Sequence, residues 1–254
     1  IIIPSSVTSI EDYAFEGCSS LTQMTLPSSV TSIGNYVFSK CSSLTKVTFL
    51  SSLTSIGIHL FAKCSSLKEI SIPSSFTLFC EFYLDESPLL DKITVIPCEE
   101  KIITNYEDTF LIQKSDSKSE VYDTLIWLKP TVHKVTIPSF IKTIGKNAFR
   151  NRKLDNEIII PPSVTLIMNY AFYKCDLQKI VIPFSVTSIG DSAFYNCSSL
   201  SQVLIPPSSS VTSIGNLAFF GCSALSKISI PSSVTSIGDY AFSGCSSLAL
   251  KSIP

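Results

Sequence analysis

The chain has 254 residues, of which 45% are hydrophobic and only 15% are charged, and its net charge is −1. A typical globular domain is about 25% charged, so Ser and Thr must supply much of the polar surface here. A net charge this close to zero provides no long-range attraction to nucleic acid or to an anionic membrane. No apolar run reaches the roughly 18 residues that a membrane-spanning helix needs. We therefore expect neither a nucleic-acid partner nor membrane insertion.

A repeat of about 23 residues runs along almost the whole chain. Each unit is marked by the residue that follows its short apolar segment. Successive marker residues are 22 to 25 positions apart, except for one interval of 41. Repeats of this length bury a continuous core only by stacking, so we predict one solenoid domain over residues 1–254. Because the chain begins and ends at the same phase of the repeat, we expect it to be a piece of a longer array. The marker positions are Pro4, Pro27, Leu50, Pro73, Pro97, Pro138, Pro161, Pro183, Pro206, Pro231 and Pro254.

Each unit follows the consensus Leu-x-x-Val/Ile-x-Ile-Pro-x-x-Val-x-x-Ile-Gly-x-x-Ala-Phe-x-x-Cys-x-x. Its first part alternates apolar and polar positions and is rich in β-branched residues, which predicts a strand that ends at Pro. Val-x-x-Ile predicts a second short extended piece, after which Gly turns the chain. Ala-Phe-x-x-Cys is too short for an independent helix and predicts one helical or 3₁₀ turn with Ala and Phe facing inward. Equivalent strands would then stack in parallel about 4.8 Å apart.

Three units, Pro27–Phe49, Pro183–Ile205 and Pro231–Ser252, resemble the leucine-rich repeats of the BspA-like, or Treponema-type, family. The resemblance covers nearly all of the chain. It implies a β-rich leucine-rich repeat solenoid of the α/β class, with right-handed coils, a parallel strand ladder and short helical turns. It also implies a non-enzymatic protein of the cell surface or the extracellular space, whose role is adhesion or recognition of protein or glycan ligands from a host or its matrix.

The repeat is interrupted between residues 97 and 137, and regular repeats occupy residues 1–96 and 138–254. Within the interruption, Asp108–Ile112 and Val121–Leu128 predict the two strands of a hairpin, joined by a polar connection. The hairpin either projects and shapes a binding site or is a spacer that changes the pitch of the solenoid. Trp127 is expected to cover the hairpin rather than to anchor a ligand.

Seven of the nine cysteines share one repeat position. Stacked coils would bring neighbouring α-carbons within disulfide range, but parallel side chains with two equivalent neighbours favour buried free thiols. Ser87 occupies this position in the irregular fourth unit, where Leu84 replaces Phe. Cys80 and Cys98 lie elsewhere in the repeat, and a disulfide between them is an open alternative. The seven are Cys18, Cys41, Cys64, Cys175, Cys197, Cys222 and Cys245.

Motifs for catalysis or cofactor binding are missing from the sequence. It contains no Cys-x-x-Cys, no Gly-x-Ser-x-Gly and no Gly-rich phosphate loop, and its only histidines are His59 and His133. We expect both histidines to be solvated or half-buried side chains rather than general bases. The sequence therefore predicts no enzyme, no metal and no cofactor. The sequon at Asn196 has Cys197 in its centre, and the inward position of this cysteine disfavours glycosylation.

The outward positions of the Leu-x-x-Val-x-Ile strands form the candidate interaction face, because side chains alternate along a strand. A second outward column is rich in Ser and Thr, but in three consecutive units it carries Ile159, Val181 and Leu204. Stacking would make these three a contiguous apolar patch beside Lys179, as expected of an interaction site. The alternative is that lysines maintain solubility and β-branched residues simply suit a strand. The first outward column includes Lys46, Lys92, Lys134, Lys179 and Lys227.

Two functions are compatible with this face. The first is a recognition or adhesion module that binds a protein or glycan through it. The second is a structural or scaffolding protein that forms homo-oligomers through the same face or through the ends of the array, where strand edges are unpaired.

Overall fold

The computed structural model describes residues 1–51, 53–77, 87, 89–116 and 118–249. The chain divides into two compact units, Ile1–Tyr122 (unit 1) and Asp123–Pro254 (unit 2). Both units are solenoids of stacked coils. A regular coil contributes a strand to a long-strand ladder, a strand to a short-strand ladder, and the segment around Ala-Phe-x-x-Cys to a third column, the turn stack. Over the described ranges, no helix is long and apolar enough to cross a membrane.

In unit 1 both ladders are parallel, and each residue lies opposite the equivalent residue of the next coil, as Gln23 lies opposite Lys46. The short-strand ladder is β1 (Ser9–Ile10), β3 (Ser32–Ile33) and β5 (Ser55–Ile56). The long-strand ladder is β2 (Gln23–Leu26), β4 (Lys46–Phe49), β6 (Glu69–Pro73) and β7 (Lys92–Ile96).

The interruption of the repeat contains an antiparallel hairpin of β8 (Ile103–Tyr106) and β9 (Phe110–Lys114). Its turn includes Glu107 and Asp108, which both have positive φ. Strands occur at both predicted segments, because β9 and β10 (Tyr122–Leu128) overlap them. The described hairpin joins β9 to the preceding strand β8, and a hairpin of β9 with β10 stays a prediction. Strand β8 was not predicted, because its sequence, Ile-Thr-Asn-Tyr, is short and lacks the repeat pattern.

Unit 2 contains all of β10 except Tyr122, and β10 pairs in parallel with the first regular short strand. The short-strand ladder continues as β11 (Thr143–Ile144), β13 (Leu166–Ile167), β15 (Ser188–Ile189), β17 (Ser213–Ile214) and β19 (Ser236–Ile237). The long-strand ladder is β12 (Glu157–Ile159), β14 (Lys179–Val181), β16 (Gln202–Leu204) and β18 (Lys227–Ile228). Both ladders keep the one-coil register of unit 1.

The turn stack differs from the predicted helical or 3₁₀ turn, since no helix of either kind occurs in the described part of the chain. In the regular coils two residues adopt the left-handed region, which a right-handed helix does not allow. One precedes the Ala position and the other precedes the Cys position, and the non-Gly residues among them have φ between 51° and 62°. The residues of the first kind are Tyr13, Tyr36, His59, Asn147, Tyr170, Ser192, Leu217 and Tyr240. Those of the second kind are Lys40, Lys63, Asn151, Lys174 and Asn196, together with Gly17, Gly221 and Gly244.

Hydrogen bonds between coils explain why a helix does not form. A helix directs every amide back along its own segment. In the turn stack only every second amide donates to a carbonyl of its own segment, as Ala193 N does to Gly190 O at 3.3 Å. The amides between them donate to the next coil at shorter distances: Ser192 to Asn216 (2.8 Å), Phe194 to Ala218 (2.7 Å) and Asn196 to Phe220 (2.7 Å). Stacking therefore overrides local helix formation.

The Gly of Ile-Gly has a different role from the predicted turn. Its φ is not in the left-handed region, but the neighbouring coil approaches it too closely for a side chain. A Cβ on Gly215 would lie 2.6 Å from Asp191 N and 2.7 Å from the carbonyl carbon of Gly190. Glycine is required here because the backbones of two coils almost touch.

The core is a column of phenylalanine rings, as the repeat predicts. In unit 2 the rings of Phe149, Phe172, Phe194 and Phe219 are fully buried and stack with centroids 4.8, 5.0 and 5.1 Å apart. Their planes differ by no more than 6°. Offset stacking of aromatic rings at this distance adds to the free energy gained by removing them from water. In unit 1 the column is Phe15, Phe38 and Phe61.

Replacing Phe194 with Ala should lower the free energy of unfolding by about 3–5 kcal/mol, because it removes a buried ring and leaves a cavity between two others. Equilibrium unfolding in urea measures this loss. Phe184→Ala is the matched control: Phe184 belongs to the same coil but is 56% exposed, so its loss should be well under half as large. A loss below about 1 kcal/mol for Phe194→Ala would contradict the stacked core.

Candidate functional site

The structure places the three predicted apolar residues side by side on the long-strand ladder of unit 2. Ile159 lies opposite Val181, and Val181 lies opposite Leu204. Ile159 is 70% exposed and Leu204 is 37% exposed, and Val181 between them is half-buried. The residue before each of them is buried in the core. The alternation of the strands thus turns these side chains outward, and the ladder makes them contiguous.

Phe184 extends this apolar surface and was not predicted from the sequence. It follows Val181 by three residues in the same coil, just past the end of β14, and is 56% exposed. Pro162 and Pro207 occupy the equivalent position in the two neighbouring coils and are also exposed. Most other coils have Ser there, so reading this column across the repeats would have revealed the substitution. We call Ile159, Val181, Leu204 and Phe184 the apolar patch.

Three of the predicted lysines accompany the apolar patch in unit 2. Lys179 is half-buried and lies in register with Gln202, and Lys227 follows in the next strand as an exposed side chain. Lys134 is exposed and precedes Thr136, which forms a bridge with Ile159. The patch is therefore bordered on one side by a charged column, in which Glu157 lies opposite Lys179.

The two predicted lysines of unit 1 have a carboxylate partner. Lys46 and Lys92 lie on either side of Glu69 in the ladder, with Nζ atoms 3.3 and 3.5 Å from its Oε1. Thr94 Oγ1 donates a hydrogen bond of 2.8 Å to the same oxygen. Burial raises the pKa of Glu69, but the hydrogen bonds from Thr94 and Lys46 and the charges of both lysines outweigh it, so its pKa lies below the usual value. This part of the face is a polar network centred on Glu69.

The cysteine column consists of free thiols, which confirms the prediction and excludes the ladder disulfides. Five of these thiols, Cys41, Cys64, Cys197, Cys222 and Cys245, donate to the carbonyl of the Phe of the preceding coil, as Cys64 does to Phe38 at 3.0 Å and Cys222 to Phe194 at 3.1 Å. Ser87 makes the equivalent bond with its hydroxyl, to Phe61 at 3.3 Å. The repeat therefore selects a small side chain that can donate one hydrogen bond, and Cys also suits the apolar surroundings.

Burial suppresses the reactivity of these thiols. It raises the pKa of Cys64 and of Cys245 to about 12, because a thiolate would lose its hydration there. Cys98 lies outside the column and is half-buried, and its thiol is 3.0 Å from Ser74 Oγ. Burial alone would raise the pKa of Cys98 as well. The hydrogen bonds with Ser74 and Ser75 have the larger effect, so its pKa lies below the usual value. Cys80, like Leu84, is outside the described residues, so its predicted alternative pairing is too.

The two histidines and Trp127 are engaged in contacts within the fold. The ring of His59 stacks on Tyr36 with centroids 5.1 Å apart, and His133 Nδ1 lies 2.6 Å from Lys153 O. No group of three or more His, Cys, Asp or Glu able to hold a metal occurs in the part of the chain that the structure describes. Trp127 is only 6% exposed beneath the guanidinium of Arg152, so it cannot serve as an exposed anchor. In the sequon, Cys197 is buried, and the absence of glycosylation at Asn196 remains a prediction.

Comparison with known proteins agrees with these repeats. The family model described as "BspA type Leucine rich repeat region" matches residues 1–110 and 127–249. The chain therefore belongs to the BspA-type leucine-rich repeat family, as its sequence predicts. No curated protein matches it.

Solved structures of bacterial leucine-rich repeat proteins share the fold. A leucine-rich cell surface protein from Faecalibacterium prausnitzii is 26% identical, with a TM-score of 0.63 over 97% of this chain and 76% of that one. A leucine-rich repeat protein from Eubacterium ventriosum is 25% identical, with a TM-score of 0.68 over 98% of this chain and 78% of that one. The pneumococcal vaccine antigen PcpA, at 24% identity and a TM-score of 0.58, covers 95% of this chain and 53% of its own, and it supports the fold alone.

Thiol labelling should separate Cys98 from the cysteine column. In N-ethylmaleimide at pH 8, Cys98 should be modified in the native protein, whereas Cys64, Cys222 and Cys245 should react only after unfolding in urea, because the thiolate is the nucleophile. Peptide mass spectrometry of both samples locates the adducts. Equal native rates at Cys98 and Cys222 would contradict the described environments.

Alkaline pH should destabilise the fold through the same thiols. In the unfolded chain a thiol deprotonates near pH 8.5, whereas folded Cys64 keeps its proton until about pH 12. Above about pH 9 the unfolded state therefore binds fewer protons, and each such thiol lowers stability by up to about 1.4 kcal/mol per pH unit. Urea midpoints at pH 8, 9.5 and 10.5 measure the slope, which should be shallower for Cys64→Ser. An unchanged slope in that variant would disprove this contribution.

Proposed function

We propose that this protein is a non-enzymatic recognition or adhesion module of the cell surface, and that it binds a protein ligand through the apolar patch. The observation that carries the proposal is the exposure of aliphatic side chains in adjacent strands at Ile159, Val181 and Leu204. A contiguous apolar surface bordered by charge is typical of an interaction site. Membership of the BspA-type family and similarity to a solved cell surface protein support the location and the general role.

The composition of the patch favours a protein ligand over a glycan. Aliphatic side chains provide neither hydrogen bonds nor flat aromatic faces for a sugar, but they gain about 1.5–3 kcal/mol each when an apolar partner buries them fully. Phe184 adds a large ring at the edge, and aromatic residues are enriched in protein interfaces. Lys179 and Lys227 border the patch and would favour a ligand with acidic groups around an apolar centre.

Replacing Ile159, Val181 and Leu204 with Ser should weaken binding at least about tenfold, because the complex would no longer bury their apolar surface. An array of extracellular-matrix proteins, followed by biolayer interferometry on each protein that wild type binds, provides the measurement. Thr25→Ser with Thr48→Ser is the matched control, because these residues occupy the same column in unit 1.

The triple variant must keep the circular dichroism and urea midpoint of the wild type, which is expected because all three side chains are on the surface. Unchanged affinity in a folded triple variant would disprove the patch as the binding site. Binding to a glycan array that survives the triple substitution would instead assign glycan recognition to another surface.

Self-association through the same patch is the second candidate function. The observation in its favour is the same: a row of exposed aliphatic side chains gains free energy on contact with any apolar surface, including that of a second copy. In that case the triple variant would lose an oligomer instead of a foreign ligand.

A further inference from the structure

A groove with a volume of about 300 Å³ crosses the turn stack of unit 1, independently of the apolar patch of unit 2. One wall is the aromatic column Tyr13, Tyr36 and His59. These residues precede the Ala position of three successive coils and all have positive φ. Their rings stack with centroids 5.3 and 5.1 Å apart. Since the rings are stacked, the faces between them are covered, and a ligand would reach only their edges and polar atoms.

The lining of the groove also carries positive charge. Lys40 and Lys63 precede the Cys position of two successive coils, and they also have positive φ. Lys40 Nζ is 2.9 Å from a carboxylate oxygen of Glu16, and the hydrogen bond to this carboxylate and its charge raise the pKa of Lys40. Within the described residues Lys63 forms no ion pair. One ammonium is therefore partly compensated by Glu16, whereas none of the described carboxylates compensates the other.

Small residues on the floor keep the groove open. The position after the core Phe is Ser39 in one coil and Ala62 in the next, and both are almost fully buried. In unit 2 the same position carries Tyr173, Tyr195 and Phe220, whose rings stack with centroids 5.0 and 4.9 Å apart. Arg150 continues that column, with its guanidinium carbon 4.0 Å from the centre of the Tyr173 ring. The repeat thus accepts a ring at this position, and unit 1 has small side chains there.

The period of the groove favours one type of polymer. Its aromatic groups repeat once per coil, at the 5.1 to 5.3 Å spacing of the rings. An extended peptide advances about 3.3 Å per residue, with side chains on one face every second residue, and would not match that period. Each pyranose ring of a linear polysaccharide spans roughly one coil spacing. Carboxylate or sulfate groups on it would meet the ammonium groups of Lys63 and Lys40.

We infer that this groove, formed by Tyr13, Tyr36, His59, Lys40 and Lys63, is a binding site for a linear acidic polysaccharide. The ring edges and polar atoms of Tyr13, Tyr36 and His59 contact the sugar rings and their hydroxyl groups. Lys63 pairs with an anionic group, and Glu16 limits the affinity by holding Lys40.

Calorimetric titration with three hexasaccharides tests the site: a heparin-derived one, an oligogalacturonate and neutral maltohexaose. The acidic hexasaccharides should bind and maltohexaose should not. If only the heparin fragment binds, the anionic group is sulfate, and if only the oligogalacturonate binds, it is carboxylate. Equal binding of maltohexaose, or no binding of either acidic hexasaccharide, would overturn the proposal.

Three substitutions locate the binding. Lys63→Gln should weaken it about tenfold, because it removes a charge-assisted hydrogen bond. Ala62→Tyr should weaken it at least as much, because it fills the groove with the ring found at the equivalent position of unit 2. Glu16→Gln should strengthen it about threefold, since it releases Lys40 from a surface ion pair.

Lys174→Gln is the matched control. Lys174 occupies the column of Lys40 and Lys63 in unit 2, where Tyr173 and Tyr195 fill the groove position, so binding should not change. An equal loss in Lys174→Gln and Lys63→Gln would mean that charge alone attracts the polymer, and it would overturn the site. If Ala62→Tyr does not fold, the opposite effects of Lys63→Gln and Glu16→Gln still decide.

Discussion

Hydrogen bonding between stacked coils is the constraint on which the rest of this structure depends. It places each residue next to its own equivalent in the following coil, in both strand ladders and in the turn stack. A residue type that recurs in every coil must therefore be able to stack on itself. Phe meets this condition by parallel rings, Gly by close backbone contact, and Cys by donating to the carbonyl of the preceding coil.

Polar columns obey the same constraint by forming hydrogen bonds along the stack. Asn or Asp at the position after Gly accepts from the backbone of the next coil, as Asp191 Oδ1 does from Asn216 N at 2.7 Å. Thr hydroxyls donate to the preceding coil, as Thr54 does to Thr31 O at 3.0 Å. These bonds explain how a chain with 15% charged residues satisfies its polar groups. Where charges do stack, Glu69 separates Lys46 from Lys92.

The sequence predicts what a single coil and its period determine, namely the strands, the Phe and Cys columns and the contiguity of Ile159 with Val181. It does not predict what depends on a neighbouring coil. The left-handed residues of the turn stack, the close approach at Gly215 and the role of the Asn and Asp column all require the stacked partner. Phe184 and the groove above Ala62 were missed because each is a departure from the consensus at a position that looks variable in one repeat.

Both proposed binding sites lie at these departures from the consensus, because the consensus residues are needed to form the fold. Recognition of a ligand through the apolar patch requires the patch to face solvent in the free protein. Size-exclusion chromatography with light scattering, over a hundredfold range of protein concentration, tests this requirement most directly. We expect a monomer of 27.7 kDa at every concentration. A stable dimer that dissociates when Ile159, Val181 and Leu204 are changed to Ser would contradict it and assign the patch to self-association.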